Sequence, residues 1–417
     1  MIAWRYLRAR KAEGGVSVMT VISFVGIMLA VAALIITLAV RSGFRAELVD
    51  TVVGSNAHIT LYSRLYTNNR GAVSRAITDY DTWAGAVRDV PGVTRAAPII
   101  LAQVLGSDMS GENNSGIWVY GMRGEDLATL PRIAHPEEAL GSIEEYENGI
   151  AIGSGVARTL GVGIGDKIIL TSPNGAKTAF GTMPRKNAYE VTYIFTAGRW
   201  DIDSTRAYLP FDEAQSFFNR EGRADQIEVM VEDPEAVNAQ IVPVMEAAGP
   251  MATLQTWQDL SGAYLRALDM EDNVMFIILS ILVLIASLNI ISGLVMLVKN
   301  KGRDIGILRT MGLTQGSIMR VFFLCGSLTG VTGTIAGVIL GITFVLNIQS
   351  VFAAVDWFAG GGVWDPSVRG IYNLPAKLEL PDILSAVSLS LTLSFLVTIL
   401  PARRAARLNP VEALRYE

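Results

Sequence analysis

The placement of the hydrophobic runs constrains this chain more than any other feature. Stretches at 19–40, 274–298, 318–347 and 383–401 are apolar-rich and nearly free of charge. Each has about 18 or more residues, enough to cross a hydrocarbon core of ~30 Å as a helix. Between the first and second runs lies a mainly polar block, 41–273. The pattern predicts an α-helical membrane protein with four transmembrane helices and a large domain inserted between the first and second. Hydrophobic residues make up 51% of the 417-residue chain, as partial embedding in lipid requires.

Short basic segments set the expected orientation. Arg5, Arg8, Arg10 and Lys11 precede the first run. Lys299, Lys301, Arg303, Arg309 and Arg320 lie between the second and third or at their edge, and Arg403, Arg404, Arg407 and Arg415 follow the fourth. The loop 348–382 has only Arg369 and Lys377 against four acids. Both ends of the chain, the 299–317 loop and the 402–417 tail are therefore expected in the cytoplasm, and the block 41–273 on the other side. That block has 19 Lys and Arg against 31 Asp and Glu, a net charge of −12. It has no polybasic stripe, so no nucleic-acid partner is expected. The first run is longer than the ~7–15 apolar residues of a signal peptide and lacks a clean A-x-A-like site, which predicts an uncleaved anchor. Residues 1–18 read either as an amphipathic elbow along the inner headgroups or as a plain basic flank.

Within the block, 41–56 is expected to continue the first helix out of the membrane, with Phe44 and Leu48 at i, i+4 spacing. Strand-like runs occur at 58–62, 99–105, 117–120, 150–152, 167–171, 189–195, 206–209 and 226–231, with helical stretches at 81–90, 211–219 and 234–248. An α+β body follows, with a more β-rich inserted subdomain near 110–220. The helical spacing of Leu260, Tyr264 and Leu268 suggests either one long helix over 257–298 or a kinked linker at 271–273.

Chemistry-bearing constellations are scarce. The lone cysteine, Cys325, sits in the third run, so an internal disulfide is impossible, and His58 and His135 are far apart without cysteine partners, so no metal site is expected. There is no G-x-x-x-x-G-K-[ST], G-x-S-x-G or H-E-x-x-H, so neither an ATPase nor a hydrolase is expected here. The segment 161–167, GVGIGDK, reads as a tight turn before a strand. The four apolar runs hold essentially no charge, which disfavours an ion channel or proton-coupled transporter. Ser280, Ser287, Asn289 and Ser292 suit helix–helix hydrogen bonds better than a solute path. Gly326, Gly330, Gly333, Gly337 and Gly341 form three G-x-x-x-G pairs, for packing within the chain or for a dimer seam.

The loop 299–317 carries the sharpest signal. Residues 304–311 can form a short helix with Arg303 and Arg309 exposed, apolar contacts from Ile305, Ile307, Leu308 and Met311, and Gly312 as its C-terminal cap. Asp304 opens that helix. Such a helix can dock in a groove of a motor protein or lie at the interface without a partner.

One helix, an exterior domain, three helices and the loop GRDIGILRTMG together resemble the MacB/FtsX-type ABC transporter permeases. The ending PARRAARLNPVEALRYE, SGFRAEL after the first run, and DMEDNVMFIILSILVLIASLNIISGLVMLVKNKG are similar to LolC/LolE-type subunits of lipoprotein-releasing systems. The resemblance covers essentially the whole chain. It implies a multi-pass permease of the bacterial inner membrane with a periplasmic domain. Its work would be to extract lipoproteins from the outer leaflet and pass them to the periplasmic carrier LolA. It implies that this chain binds no cofactor, ATP and Mg being held by a LolD-like ATPase dimer, with a second LolC/LolE-type permease as homo- or heterodimer partner. The 299–317 loop would engage that ATPase. The segment 172–188 is similar to a LolA-recruiting hook, with Pro173, Lys177, Phe180, Met183, Pro184 and Arg185 as contacts; on pattern alone it is a solvated hairpin loop. Lipid-cavity candidates, chosen by helical position, are Met28, Val31, Ile35, Met275 and Ile278. An FtsX-like or MacB-like subunit that controls a periplasmic enzyme, or exports another substrate, is the alternative.

Overall fold

The computed structural model describes residues 14–67, 73–136, 138–173, 175, 177–178, 181–263, 266–267, 270, 274–275, 277–278, 281–282, 285, 288, 291–292, 295–296, 298–299, 302–361, 365, 367, 370 and 372–407. The chain divides into two compact units. One comprises 1–46, 267–361 and 374–417, the other 47–266 with 362–373.

The first helix, α1, runs unbroken from Gly14 to Ser55, 42 residues. At 1.5 Å per residue it is roughly 60 Å long, about twice a hydrocarbon core, so the expected continuation past residue 40 is present.

The second unit is built on a ten-stranded sheet. Its strands are β1 (Ile59–Ser63), β2 (Val93–Ser107), β3 (Asn114–Met122), β4 (Glu138–Gly141), β5 (Ile150–Gly153), β6 (Lys167–Ser172), β7 (Arg185–Thr196), β8 (Arg206–Pro210), β9 (Gln226–Val231) and β10 (Ala252–Thr256). The order is β10-β1-β9-β2-β3-β8-β5-β7-β4, with β6 pairing both β7 and β2. The long strand β2 joins the two halves: its residues 93–99 pair with β9, and 100–107 pair with β3. The β-rich stretch near 110–220 is therefore a continuation of one sheet and not a separate subdomain.

Strand alternation explains why several strands read as unbroken apolar runs. Ile150 and Ile152 enter one core while Ala151 enters another, and Ala207 and Leu209 are likewise separated from Tyr208. Successive side chains point to opposite faces, and here both faces are covered. In β7 a bulge between Val191 and Tyr193 shifts the register, so Val191 joins the first core and Tyr193 the second. Helices of this unit include α2 (Tyr80–Arg88), α3 (Ser154–Leu160), α4 (Phe211–Phe217) and α5 (Ile241–Ala248). Val87 of α2 and Val244 of α5 are fully buried.

The strand that follows α1 lies beside the strand that ends the unit: β1 pairs antiparallel with β10, Ile59 opposite Thr256 and Ser63 opposite Ala252. The chain therefore enters and leaves the sheet at the same end. At the exit, a capping box of Thr256 and Asp259 starts α6 (Trp257–Leu260). A turn at Ser261 closes α6, so one unbroken helix from residue 257 is ruled out.

The other unit contains α7 (Gly302–Thr310), α8 (Gln315–Leu346), α9 (Ile348–Ala359) and α10 (Leu380–Ala406). Among the described residues three helices are long and apolar enough to cross a membrane: α1, α8 and α10. The fourth expected run, 274–298, is described only at scattered positions, all helical. The glycine stripe of α8 packs inside the chain. A Cβ on Gly333 would lie 3.0 Å from Ile27 Cβ, on Gly337 2.7 Å from Val31 Cβ, and on Gly341 3.1 Å from Ile35 Cβ. Gly330 meets Ser394 of α10 in the same way. Across the same interface Thr334 and Ser390 share a 2.9 Å hydrogen bond. Residues 348–382 are not a plain loop, because α9 occupies their first third.

Candidate functional site

The hook segment is a hairpin. Strands β6 and β7 pair from Glu190 opposite Lys167 to Arg185 opposite Ser172. Beyond them the backbone pairs again, Lys177 with Thr182 and Thr178 with Gly181. The segment is thus more strand-like than its two prolines suggest. Pro173, Met183 and Pro184 are exposed, Met183 at 62%. Arg185 is turned back to the sheet unit: its guanidinium donates to Ser216 O (2.8 Å) and Asn219 Oδ1 (3.0 Å) and lies over the Phe217 ring. It therefore braces the base of the hairpin. Phe180 and the side chain of Lys177 lie outside the described residues.

The loop helix forms close to where the sequence places it, starting at Gly302 instead of Asp304. Its end is a Schellman motif: Leu313 N donates to Leu308 O (3.0 Å) and Gly312 N to Arg309 O (3.1 Å). Gly312 has φ +100°, a conformation that favours glycine. Thr314 then caps α8, accepting from Ser317 N. The four apolar residues divide. Ile305 is buried in the helical core with Ile318 and Ala402, whereas Ile307 and Met311 are exposed and Leu308 is half-buried. Arg309 is half-buried instead of fully exposed. The side chains of Arg303 and Asp304 lie outside the described residues.

The cavity candidates also divide. Val31 and Ile35 are buried against Gly337 and Gly341, so they are packing residues. Met28 and Met275 are half-buried, and Ile278 is exposed.

A cleft of about 280 Å³ lies where α1 ends, lined by Asn56, Tyr62, Tyr120, Arg206, Glu228 and Trp257 among others. Its charges are held in place. Arg206 donates to Ser55 O (2.6 Å) and Asn56 Oδ1 (2.7 Å) and stacks over Tyr120. It thus neutralises the negative end of α1 and satisfies a terminal carbonyl. Burial opposes the Arg206 charge, but Tyr120, Tyr208 and Glu228 outweigh it and its pKa is raised. Glu228 accepts from Arg95 at 3.1 Å, both side chains deeply buried, and Arg95 also donates to Asp126 O (3.0 Å). About one and a half to two turns earlier on α1, Asp50 and Glu47 pair with Arg132. Two arginines of the sheet unit, Arg132 and Arg206, therefore clamp the last ten residues of α1. Each charged group named here is tied to the fold.

Residues 20–244 match the family model of the MacB-like periplasmic core domain, and 276–410 match that of the FtsX-like permease C-terminal domain. The lipoprotein-releasing system transmembrane protein LolC of Neisseria meningitidis serogroup B is 30% identical, over 100% of this chain and 98% of its own. The chain belongs to the LolC/LolE family. LolE of Haemophilus influenzae is 28% identical over 99% of this chain and 98% of its own. Among solved structures, the periplasmic region of MacB from Actinobacillus actinomycetemcomitans aligns at 12% identity and a TM-score of 0.34, covering 52% of this chain and 95% of that one.

Sequence reasoning passed over the clamp and α9. A signal existed for both. Arg206 is the single charge at the head of the otherwise apolar strand β8, and 348–359 is apolar at helical spacing with a single charge, Asp356.

Proposed function

We propose that this chain is a permease subunit of an ATP-driven transporter that extracts mature lipoproteins from the outer leaflet of the bacterial inner membrane and passes them to LolA. The observation that carries this reading is similarity to LolC over the full length of both chains. The chain crosses the membrane four times, 274–298 being the second crossing. Its ends and α7 are cytoplasmic, and the sheet unit is periplasmic.

In this reading α7 docks on a LolD-like ATPase dimer, which holds the ATP and Mg. Exposed Ile307 and Met311 support that role, with Ile305 fastening the helix to its own bundle. A second LolC/LolE-type permease faces this one. Moving an acyl chain into water costs ~0.8 kcal/mol per CH₂, so the cargo must pass directly between apolar hosts. The hairpin 172–188 keeps the receiving host close. Its exposed Met183 is the apolar contact, and Arg185 holds the hairpin's base so that the contact is presented at a fixed place.

Reconstitution with the cognate ATPase, a labelled triacylated lipoprotein and LolA tests the reading. ATP-dependent transfer to LolA is expected; normal ATPase activity without transfer would overturn it. Met183→Asp is expected to weaken LolA recruitment and leave basal ATPase activity nearly unchanged. Unaltered LolA binding would remove the hairpin from the mechanism.

A further inference from the structure

Helix α9 has no obvious task in this scheme, and its surroundings say where it lies. Three observations fix the level of its start. Where the apolar run of α1 ends, Ser42 Oγ donates to Asp382 in the first turn of α10 (2.7 Å), and Ala39 O accepts from Lys377 N (2.9 Å). At Gly43 the backbone of Ala376 approaches so closely that a Cβ would lie 2.5 Å from its Cα. The segment 374–382 therefore marks the boundary at which α1 and α10 leave the apolar zone. Gln349, in the first turn of α9, donates to Leu374 O of that segment (2.9 Å). Only Asn347 separates α9 from the end of α8. So α9 begins at the membrane–water boundary.

From there its residues become mostly exposed. Ile348 is buried, but Trp357 is 76% and Phe358 81% exposed, their rings in edge contact with centroids 4.9 Å apart. Twelve residues make about 18 Å of helix, too short for a core of ~30 Å. Its end is closed in left-handed glycine: Gly360 N donates to Trp357 O and Gly361 N to Asp356 O, with φ +84° and +89°. Those carbonyls are thus satisfied without water, as a helix end at the edge of a hydrocarbon phase requires. An amphipathic helix with Trp and Phe at its tip, starting at the boundary, matches the interfacial mode of membrane binding.

We infer that α9 lies flat in the membrane interface, with Trp357 and Phe358 inserted among lipid headgroups and upper acyl chains of the leaflet reached by the outer ends of α1 and α10. The occupant of this face is lipid. A paired aromatic wedge there anchors the outward end of the bundle and loosens lipid packing beside it. The wedge's bearing on cargo extraction rests on the proposed function; its depth does not.

The chain's lone cysteine makes the test direct. In a Cys325→Ser background, Trp357→Cys carries a nitroxide, with Phe358→Cys as a second, independent site and Glu112→Cys in the sheet unit as the aqueous reference. The full chain with its co-purified subunits is placed in phosphatidylethanolamine–phosphatidylglycerol vesicles. Collisions of the label with oxygen and with a water-soluble nickel complex are then measured. The ratio of oxygen to nickel collisions is expected to be several-fold higher at 357 and 358 than at 112. Nickel access equal to the reference overturns the inference. Shielding from both probes also overturns it, because the face would then be covered by protein, such as a second permease. None of these outcomes depends on lipoprotein transfer, so failure here and failure of the proposed function are separable.

Discussion

In the sheet unit Tyr146, Tyr208, Phe195 and Phe217 are fully buried, and the Arg95–Glu228 ion pair is buried as well. In the helical unit the close contacts are made by Gly330, Gly333, Gly337 and Gly341, with buried Ser394 and Thr398 and no ion pair among the described core residues. The two solutions answer two solvents. In water, burying large side chains drives folding, at about 1.5–3 kcal/mol each, and a buried charge pair is tolerated once fully hydrogen-bonded. Between lipid-embedded helices there is no gain from hiding apolar surface, so stability comes from backbone proximity and small hydroxyl contacts. Size is an asset in one unit and a fault in the other.

That contrast can be broken in four places. The largest effect is expected at Arg95→Met, which takes the ion-pair partner from buried Glu228, leaves it the Gln226 amide (3.2 Å), and should cost about 3–5 kcal/mol in denaturant unfolding. A loss below about 1 kcal/mol would show that the pair is not what organises that core. Next comes acid. Burial holds His58 down to about 4 from 6.5, so its contribution is complete above pH 6.5 and is lost as pH falls from 6.5 towards 4, on the order of 2–3 kcal/mol. Burial raises Asp203 to about 6, so the folded form binds its proton more readily and gains stability as pH falls from 6 towards 3.8. The two oppose each other. His58→Asn removes the imidazole's share while the carboxylates keep theirs, so the stability of the variant relative to the parent should be greater at pH 4.5 than at pH 7. Equal pH profiles for parent and variant would sink this account.

Gly337→Leu is expected to destabilise the helical unit by about 1–3 kcal/mol, read as a lower thermal unfolding temperature in micelles, because its Cβ would press on Met28 O and Val31. Gly316→Ala, on the same helix but with nothing near its Cβ, should be neutral or mildly stabilising. If both behave alike, backbone proximity is not what holds α8 to α1. The smallest effect is reserved for Gly312→Ala, about 1 kcal/mol or slightly more, felt as faster hydrogen exchange at the end of α7.

The elements with strong local signals were readable. Strand β9 has the bounds its apolar run gives, α7 ends at the glycine that caps it, and α1 runs on past residue 40. Weak local signals misled. Strand β4 has four exposed residues and exists only because β7 offers an edge to pair with. Exposure of Ile305 was undecidable from a nine-residue helix, since only the packed bundle tells which side faces in. The same holds for Val31 and Ile35, which match a lipid-facing stripe as well as a glycine-facing one. The Arg206 clamp joins residues 150 positions apart, a relation that no window along the chain contains.

The antiparallel neighbours Ile59 and Thr256 place the two crossing points of the inserted sheet about 5 Å apart. The segment between them, some two hundred residues, is therefore an insertion whose two ends lie side by side, and residues 362–373 return to it as a second excursion, Gly370 O accepting from Trp200 N. Excising it would leave a gap that a few glycines and serines could bridge, but Glu47 and Asp50 would lose Arg132, and Gly370 would lose Trp200. A module exchanged into this position would have to supply partners for both.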